Sequence, residues 1–328
     1  MAVRGTERAE EREAAIAAAV AALAAGRLVG LPTETVYGLG ADATDGRAVA
    51  AIYAAKGRPS FNPLIAHVPD LAAAERHGIF DARARALARA FWPGPLTLVV
   101  AKRPDSPISD LASAGLDTIG LRVPADTVTR EILARFGRPV AAPSANRSGR
   151  VSPTRAEDVV EELGAAVAEV IDTGATPVGV ESTIVALLDG PPRLLRPGGV
   201  PREAIEAVLG TPLADEPPPV DDAAPLAPGM LSSHYAPRAR VRLEATSVAP
   251  GEALITFGAD RPAGADRAAA IFELSPSGDL AEAAANLFRG LRLLDASGAA
   301  TIAVMPIPAE GLGEAIVDRL RRAAAPRG

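Results

Sequence analysis

Lys56-Gly57-Arg58 places two cations two residues apart with a glycine between them, and Pro59 stiffens the chain immediately after. A lysine point charge beside a planar guanidinium fork suits the oxygens of a polyphosphate. Asn62 adds an amide to the same loop. For an isolated pair of this kind, a solvated surface turn is the competing reading. The run Pro143-Ser144-Ala145-Asn146-Arg147-Ser148-Gly149 offers small hydroxyl and amide groups on a Gly/Pro-marked loop, a composition able to surround phosphate oxygens. Ser152 and Thr154 beyond it could instead cap the next helix. Arg122 stands in the apolar run Thr118–Val123, where its charge is costly to bury unless an anion meets it. A substrate carboxylate and an internal Asp or Glu are equally good partners. His67, in Leu64-Ile65-Ala66-His67-Val68, leaves directly from the cationic loop and is either a structural residue or part of the same pocket. Leu31–Gly40 reads as a strand stopped by Pro32, with Thr33, Glu34 and Thr35 facing outward at a sheet edge toward a ligand, or as a tight capped turn.

Several chemistries are excluded. The chain has no cysteine, so disulfides, zinc ribbons and thiol nucleophiles drop out. Its three histidines, His67, His77 and His234, leave little from which to build a histidine metal site. Ser144 lacks a nucleophile-elbow sequence and has no histidine near it in sequence, which argues against serine-hydrolase chemistry. Neither a Walker A motif nor a convincing GxGxxG fingerprint occurs, so an ATP site here lies outside the P-loop and Rossmann arrangements. A net charge of −6 and 3% aromatic residues argue against a basic nucleic-acid coat and a base-stacking surface. The first residues, MAVRGTERAEERE, lack the apolar core of a signal peptide, and Ala14–Ala25 is too short to span a bilayer. The expectation is a cytoplasmic protein with no membrane partner.

Positioning these groups requires a mixed α/β scaffold. Helices are expected at Thr6–Gly26 (with Thr6 a possible N-cap), Arg47–Ala55, Asp81–Phe91, Ala125–Phe136, Thr154–Leu163 and Pro201–Leu209. Strands are expected at Arg27–Leu31, Leu64–Val68, Leu96–Ala101, Thr118–Val123, Val140–Ala142 and Ser182–Leu188. The alternation suggests one twisted sheet covered by helices, spanning residues 1–210. Thr211–Pro228 carries six prolines and four acids and reads as an extended linker, within a linker segment 211–237. Strands at Ala253–Phe257, Ala270–Leu274 and Thr301–Met305, with helices at Asp279–Ser297 and Gly313–Ala323, make 238–328 a small second α/β domain.

Seven stretches in order, PTETVYGLG, KGRPSFNPL, FWPGPLTLV, GLRVP, PSANRSG, ESTIV and LLRPG, run from Pro32 to Gly198 and together resemble the YrdC-like family of threonylcarbamoyl-AMP synthases. The segment PGMLSSHYAP and the second domain resemble the longer, two-domain form. The resemblance implies an N-terminal YrdC-like twisted sheet with a concave substrate face and a small C-terminal Rossmann-like domain. It implies that L-threonine, bicarbonate and ATP, with Mg²⁺, give threonylcarbamoyl-AMP, pyrophosphate and water. The product would pass to enzymes that modify an adenosine beside the anticodon of certain tRNAs. By the same resemblance Lys56, Arg58, Ser144 and Asn146 form the catalytic core. Thr35, His67, Arg122, Ala142 and Ser182 surround threonine, with Arg122 on its carboxylate. Arg58, Asn62, Thr118, Ser144, Ser152 and Arg196 contact ATP, and Tyr235 closes over the nucleotide. The rival on the same fold is a non-catalytic protein binding double-stranded RNA or a ribosomal element, which calls for a broad basic face.

Overall fold

The computed structural model describes residues 1–59, 61–215, 228 and 234–326. In chain order the first elements are β1 (Ala2–Gly5), α1 (Ala9–Ala24), β2 (Val29–Leu31), β3 (Gly38–Asp42), α2 (Gly46–Lys56), β4 (Ile65–His67), α3 (Leu71–Glu75), α4 (Ala82–Phe91) and β5 (Leu96–Ala101). There follow β6 (Thr118–Arg122), α5 (Thr127–Phe136), β7 (Val140–Ala141), α6 (Ala156–Leu163), β8 (Glu169–Asp172), β9 (Thr183–Ala186), β10 (Arg193–Arg196), α7 (Arg202–Leu209) and β11 (Ala214–Asp215). These strands form one mixed sheet in the order β1-β8-β2-β3-β7-β4-β6-β5-β9-β10-β11. The second unit comprises β12 (Arg240–Arg242), β13 (Ala253–Phe257), β14 (Ala270–Ser275), α8 (Leu280–Ala296), β15 (Thr301–Val304) and α9 (Leu312–Ala324). Its sheet, β12-β15-β13-β14, is parallel throughout, a small Rossmann-like arrangement.

Local chemistry explains where the helices start. Asp45, Asp81, Asp126 and Asp279 each accept a hydrogen bond from a first-turn backbone N–H of α2, α4, α5 and α8. Thr6 does not cap α1: the capping position is Arg8, and the Thr6 hydroxyl donates to the Asp172 carbonyl instead, tying the chain to β8. β3 is a strand despite its glycines, because it lies between β2 and β7 with both edges paired. That pairing also corrects the expectation for Thr33, Glu34 and Thr35. They follow a strand interior to the sheet and are buried, not displayed at an edge. Ser152 and Thr154 do not cap α6, which begins from Arg155. The proline-rich segment is not wholly extended linker, since Ala214–Asp215 adds a parallel strand beside β10. Residues 216–227 and 229–233 lie outside the described residues.

Three valines of the first unit, Val36, Val151 and Val180, share one apolar core with Tyr235 and with Leu287, Phe288, Ile316 and Leu320 of α8 and α9. The two units therefore meet through an apolar seam. Burying a valine fully contributes roughly 1.5–3 kcal/mol, so three of them make this seam a substantial part of the stability of both units.

Candidate active site

Strand register brings distant segments together. β4 runs parallel to β6 with His67 opposite Arg122, and β7 places Val140 against the other side of His67. An isolated bridge pairs Gly38 with Ser144, and Ala145 donates to the Tyr37 carbonyl, so the Ser144 loop is held against β3. Gly198 brings a further loop onto the sheet. A side chain there would sit 2.3–2.4 Å from the backbone of Glu181, Ser182 and Thr183, so only glycine permits the approach.

Arg58 leaves α2 just beyond Gly57, whose left-handed φ of 59° turns the chain. Its guanidinium folds back over its own loop: Nη2 donates to the carbonyls of Asn62 (3.3 Å) and Pro63 (3.0 Å). Nη1 makes no hydrogen bond among the described residues, and the side chain lines a cavity. Burial lowers the Arg58 pKa to about 10, which still leaves it charged at neutral pH. Arg196 reaches the same cavity while Nε and Nη2 donate to the Ser182 carbonyl. The Ser182 hydroxyl is shared between Arg196 Nη2 (3.2 Å) and Thr97 Oγ1 (2.8 Å).

Arg122 has an internal anionic partner. Nη2 donates to Glu34 Oε1 at 2.6 Å and to Thr35 Oγ1 at 2.9 Å, and Nε to the Gly94 carbonyl. Nη1 makes no hydrogen bond among the described residues, and Arg122 lines the cavity. Glu34 Oε2 in turn accepts from the Ala125 backbone. Of the two explanations offered for a buried arginine, the internal acid is present and fixes the guanidinium through Nη2.

His67 is buried with Nδ1 unpartnered. Burial, then the neighbouring Arg122 charge, push its pKa down to about 3. The imidazole is neutral under all physiological conditions. Because the unfolded chain binds this proton at its ordinary value of 6.5, stability is fully present above pH 6.5 and falls as pH drops from 6.5 toward about 3. The expected slope approaches about 1.4 kcal/mol per pH unit. Urea unfolding of wild type and His67→Gln at pH 7 and pH 5 checks this: the variant should lose the His67 part of the pH dependence.

The cavity is small. The buried His234 and Tyr235 and the half-buried Pro228 form part of its wall, leaving about 40 Å³ of free space. Drug-sized ligands occupy about 300–1,000 Å³, so a nucleotide enters only if this strap moves. Tyr235 stacks on Phe288, with ring centres 5.6 Å apart, and holds a left-handed φ of 60°, strained for a tyrosine. Its follower, Ala236, donates to the Gly149 carbonyl and so pins the strap to the Ser144 loop.

Comparison with known proteins points one way. The family described as Telomere recombination, which groups Sua5, YciO and YrdC, matches residues 21–198. A second, described as the C-terminal domain of threonylcarbamoyl-AMP synthase, matches residues 200–325. A threonylcarbamoyl-AMP synthase of Bacillus subtilis is 39% identical over 95% of this chain and 93% of its own length. One of Pyrococcus abyssi is 40% identical over 97% of this chain and 95% of its own. The chain belongs to the threonylcarbamoyl-AMP synthase family. The crystal structure of Pyrococcus abyssi Sua5 complexed with L-threonine superposes with a TM-score of 0.87 at 35% identity, covering 99% of this chain and 97% of that one.

Of the residues that the family resemblance nominated, Arg58, His67, Arg122, Ala142, Ser144, Ser182, Arg196 and Tyr235 line one cavity. Thr35 stands behind Arg122, and Ser152 donates its hydroxyl to Glu181. Asn62 is buried with its side-chain oxygen unpartnered and supports Arg58 through its carbonyl. Lys56 differs from expectation: its ammonium does not line the cavity but donates to the carbonyls of Ser144 and Asn146, shaping the loop from behind. The Asn146 amide likewise donates to the carbonyls of Arg147 and Arg150. Thr118 is not brought to the cavity. It begins β6 four residues before Arg122, on the same strand face and ~13 Å away. Two roomier clefts, of about 490 and 540 Å³, contain none of the nominated residues, so volume is a poor guide to the chemistry here. Sequence reasoning missed Glu181 and His234 as cavity residues. An acid directly before Ser182 was the available signal for the first.

Proposed function

We propose that the chain condenses L-threonine, bicarbonate or its CO₂, and ATP to threonylcarbamoyl-AMP and pyrophosphate. The observation that carries the reading is that three buried arginines from separate segments, Arg58, Arg122 and Arg196, converge on one cavity with a neutral histidine and two serines. Buried cations suit small anions, and a duplex nucleic acid would need them on an open face.

In the first step the neutral threonine amine attacks CO₂, the N–C bond forming as one C–O π bond opens, and the proton lost from nitrogen combines with the hydroxide left by bicarbonate to give water and a carbamate. Arg122 offers Nη1 to the threonine carboxylate, and the unpaired Nδ1 of His67 is a hydrogen-bonding group for threonine's polar atoms. In the second, a carbamate oxygen attacks the α-phosphorus in line and pyrophosphate leaves. Arg58 and Arg196 neutralise charge on the transferring group, and Ser144 offers a hydroxyl from the facing loop. No group of three or more His, Asp or Glu side chains among the described residues converges as a metal site. Mg²⁺ therefore enters this proposal as part of the MgATP substrate, with phosphate oxygens as its chief ligands. Tyr235 closes the cavity around the labile adenylate. The product would serve transfer enzymes that act on tRNA.

Purified protein given ATP, Mg²⁺ and bicarbonate should release pyrophosphate only when threonine is added; release without threonine, or none with it, would overturn the reading. Cutting the chain after Gly210 removes Tyr235 and uncovers Val36, Val151 and Val180. The truncated protein should keep its sheet by circular dichroism but melt at a lower temperature than the full chain and lose at least about tenfold in turnover.

A further inference from the structure

Arg319 lies in α9 of the C-terminal unit, yet it is wholly buried against the first unit's site, with no exposed surface. Nε donates to Glu181 Oε2 at 2.8 Å and Nη1 to Asp318 Oδ2 at 2.6 Å. The guanidinium carbon sits 5.1 Å from the centre of the Tyr235 ring, within cation–π range. Nη2 is buried and has no partner among the described residues. The other oxygen of Glu181 accepts the Ser152 hydroxyl. One side chain from the second unit thus touches both the carboxylate that holds Ser152 and the ring that closes the cavity.

Burying an arginine with an unpaired nitrogen is costly, and an apolar side chain of similar volume would glue two units together at least as well. What the arginine adds is direction. We infer that Arg319 is a positioning residue for the nucleotide half of the site, fixing Glu181 on Ser152 and seating Tyr235 against the cavity, so that the C-terminal unit completes the ATP site. The inference rests on the synthase reading above. Burial alone would raise the Glu181 pKa, but the charges of Arg319 and then Arg196 hold it below the ordinary carboxylate range. Without Arg319 the carboxylate loses its ion-pair partner at 2.8 Å, keeps only the more distant charges of Arg196 and Lys56, and is free to turn into the space where phosphate oxygens belong. Threonine's groups are held differently: Ser182 by Thr97 and Arg196, Arg122 by Glu34 and Thr35. ATP and threonine should therefore respond unequally.

The test uses full-length Arg319→Met, Arg319→Lys, Glu181→Gln and the Arg319→Met/Glu181→Gln double variant, each with KM for ATP and for threonine measured by pyrophosphate release. Arg319→Met should raise KM for ATP by about tenfold or more while KM for threonine stays within about twofold, and Arg319→Lys should restore part of the loss. The double variant should be no worse than Arg319→Met alone, because residues acting as one unit are not additive. Equal rises in both constants, an unchanged KM for ATP in Arg319→Met, or additive effects in the double variant would overturn the inference. Should Arg319→Met fail to fold, Arg319→Lys decides: a KM for ATP unchanged from wild type overturns it. If wild type itself releases no pyrophosphate, the synthase reading fails instead. MgATP affinity by calorimetry then decides the role of Arg319, with equal affinity in wild type and Arg319→Lys counting against it.

Discussion

Arg58→Ala should lower threonine-dependent pyrophosphate release by at least about 10³-fold, the scale seen when an arginine that neutralises a transferring phosphoryl group is removed. The nitrogen Nη1 makes no hydrogen bond to the loop carbonyls that hold the rest of the guanidinium, and Arg196, the other cation assigned to the transferring group, is itself tied to the Ser182 carbonyl. Arg58→Lys keeps a charge but loses the fork, and with it the simultaneous grip on the carbonyls of Asn62 and Pro63. It should recover only a small part of the activity. Circular dichroism and thermal melting separate this from misfolding: both variants should retain the sheet, since among the described residues the Arg58 side chain bonds only within its own loop. Turnover in Arg58→Ala within about tenfold of wild type would remove Arg58 from the transition state.

Glu34→Ala should cost about 3–5 kcal/mol of stability, because it strands the Arg122 charge where it is almost wholly buried. The same variant provides an assay for the ligand. If a threonine carboxylate occupies the free side of Arg122, it compensates the stranded charge, and threonine should raise the melting temperature of Glu34→Ala more than that of wild type. Succinate, which lacks the amine and hydroxyl, serves as the control anion. Equal shifts in both proteins would mean that the ligand carboxylate does not meet Arg122. Glu34→Gln should fall between wild type and alanine, since an amide oxygen can still accept from the Ala125 backbone but cannot balance the guanidinium.

Much of the scaffold was legible in the chain because its punctuation is local. Asp81 and Asp126 precede apolar-periodic runs and cap them, Gly57 and Gly137 end α2 and α5 in the left-handed region, and β5 occupies the full Leu96–Ala101 run. Short strands such as β1, β8 and β10 were not legible. Each is four residues long and is stabilised by its neighbours in the sheet rather than by a pattern of its own. The identity of the site's cations was likewise readable, because charges that recur beside glycine and proline are visible residue by residue.

What each cation does was decided only by tertiary contacts. In sequence Lys56 and Arg58 look like a matched pair, yet burial turns the lysine onto the Ser144 and Asn146 carbonyls while the arginine faces the cavity. Glu34 and Arg122 are eighty-eight positions apart, and three strands separate β2 from β6, so only the tertiary path of the segment after β2 makes them one ion pair. Arg319 lies further still from Glu181, in a different unit of the fold, and no spacing rule relates them. Residue type determines which charges and hydrogen-bonding groups the chain can present. Which carbonyl, carboxylate or open space each one meets depends on long-range packing, because a buried charge settles on whatever partner the fold brings within about 3 Å.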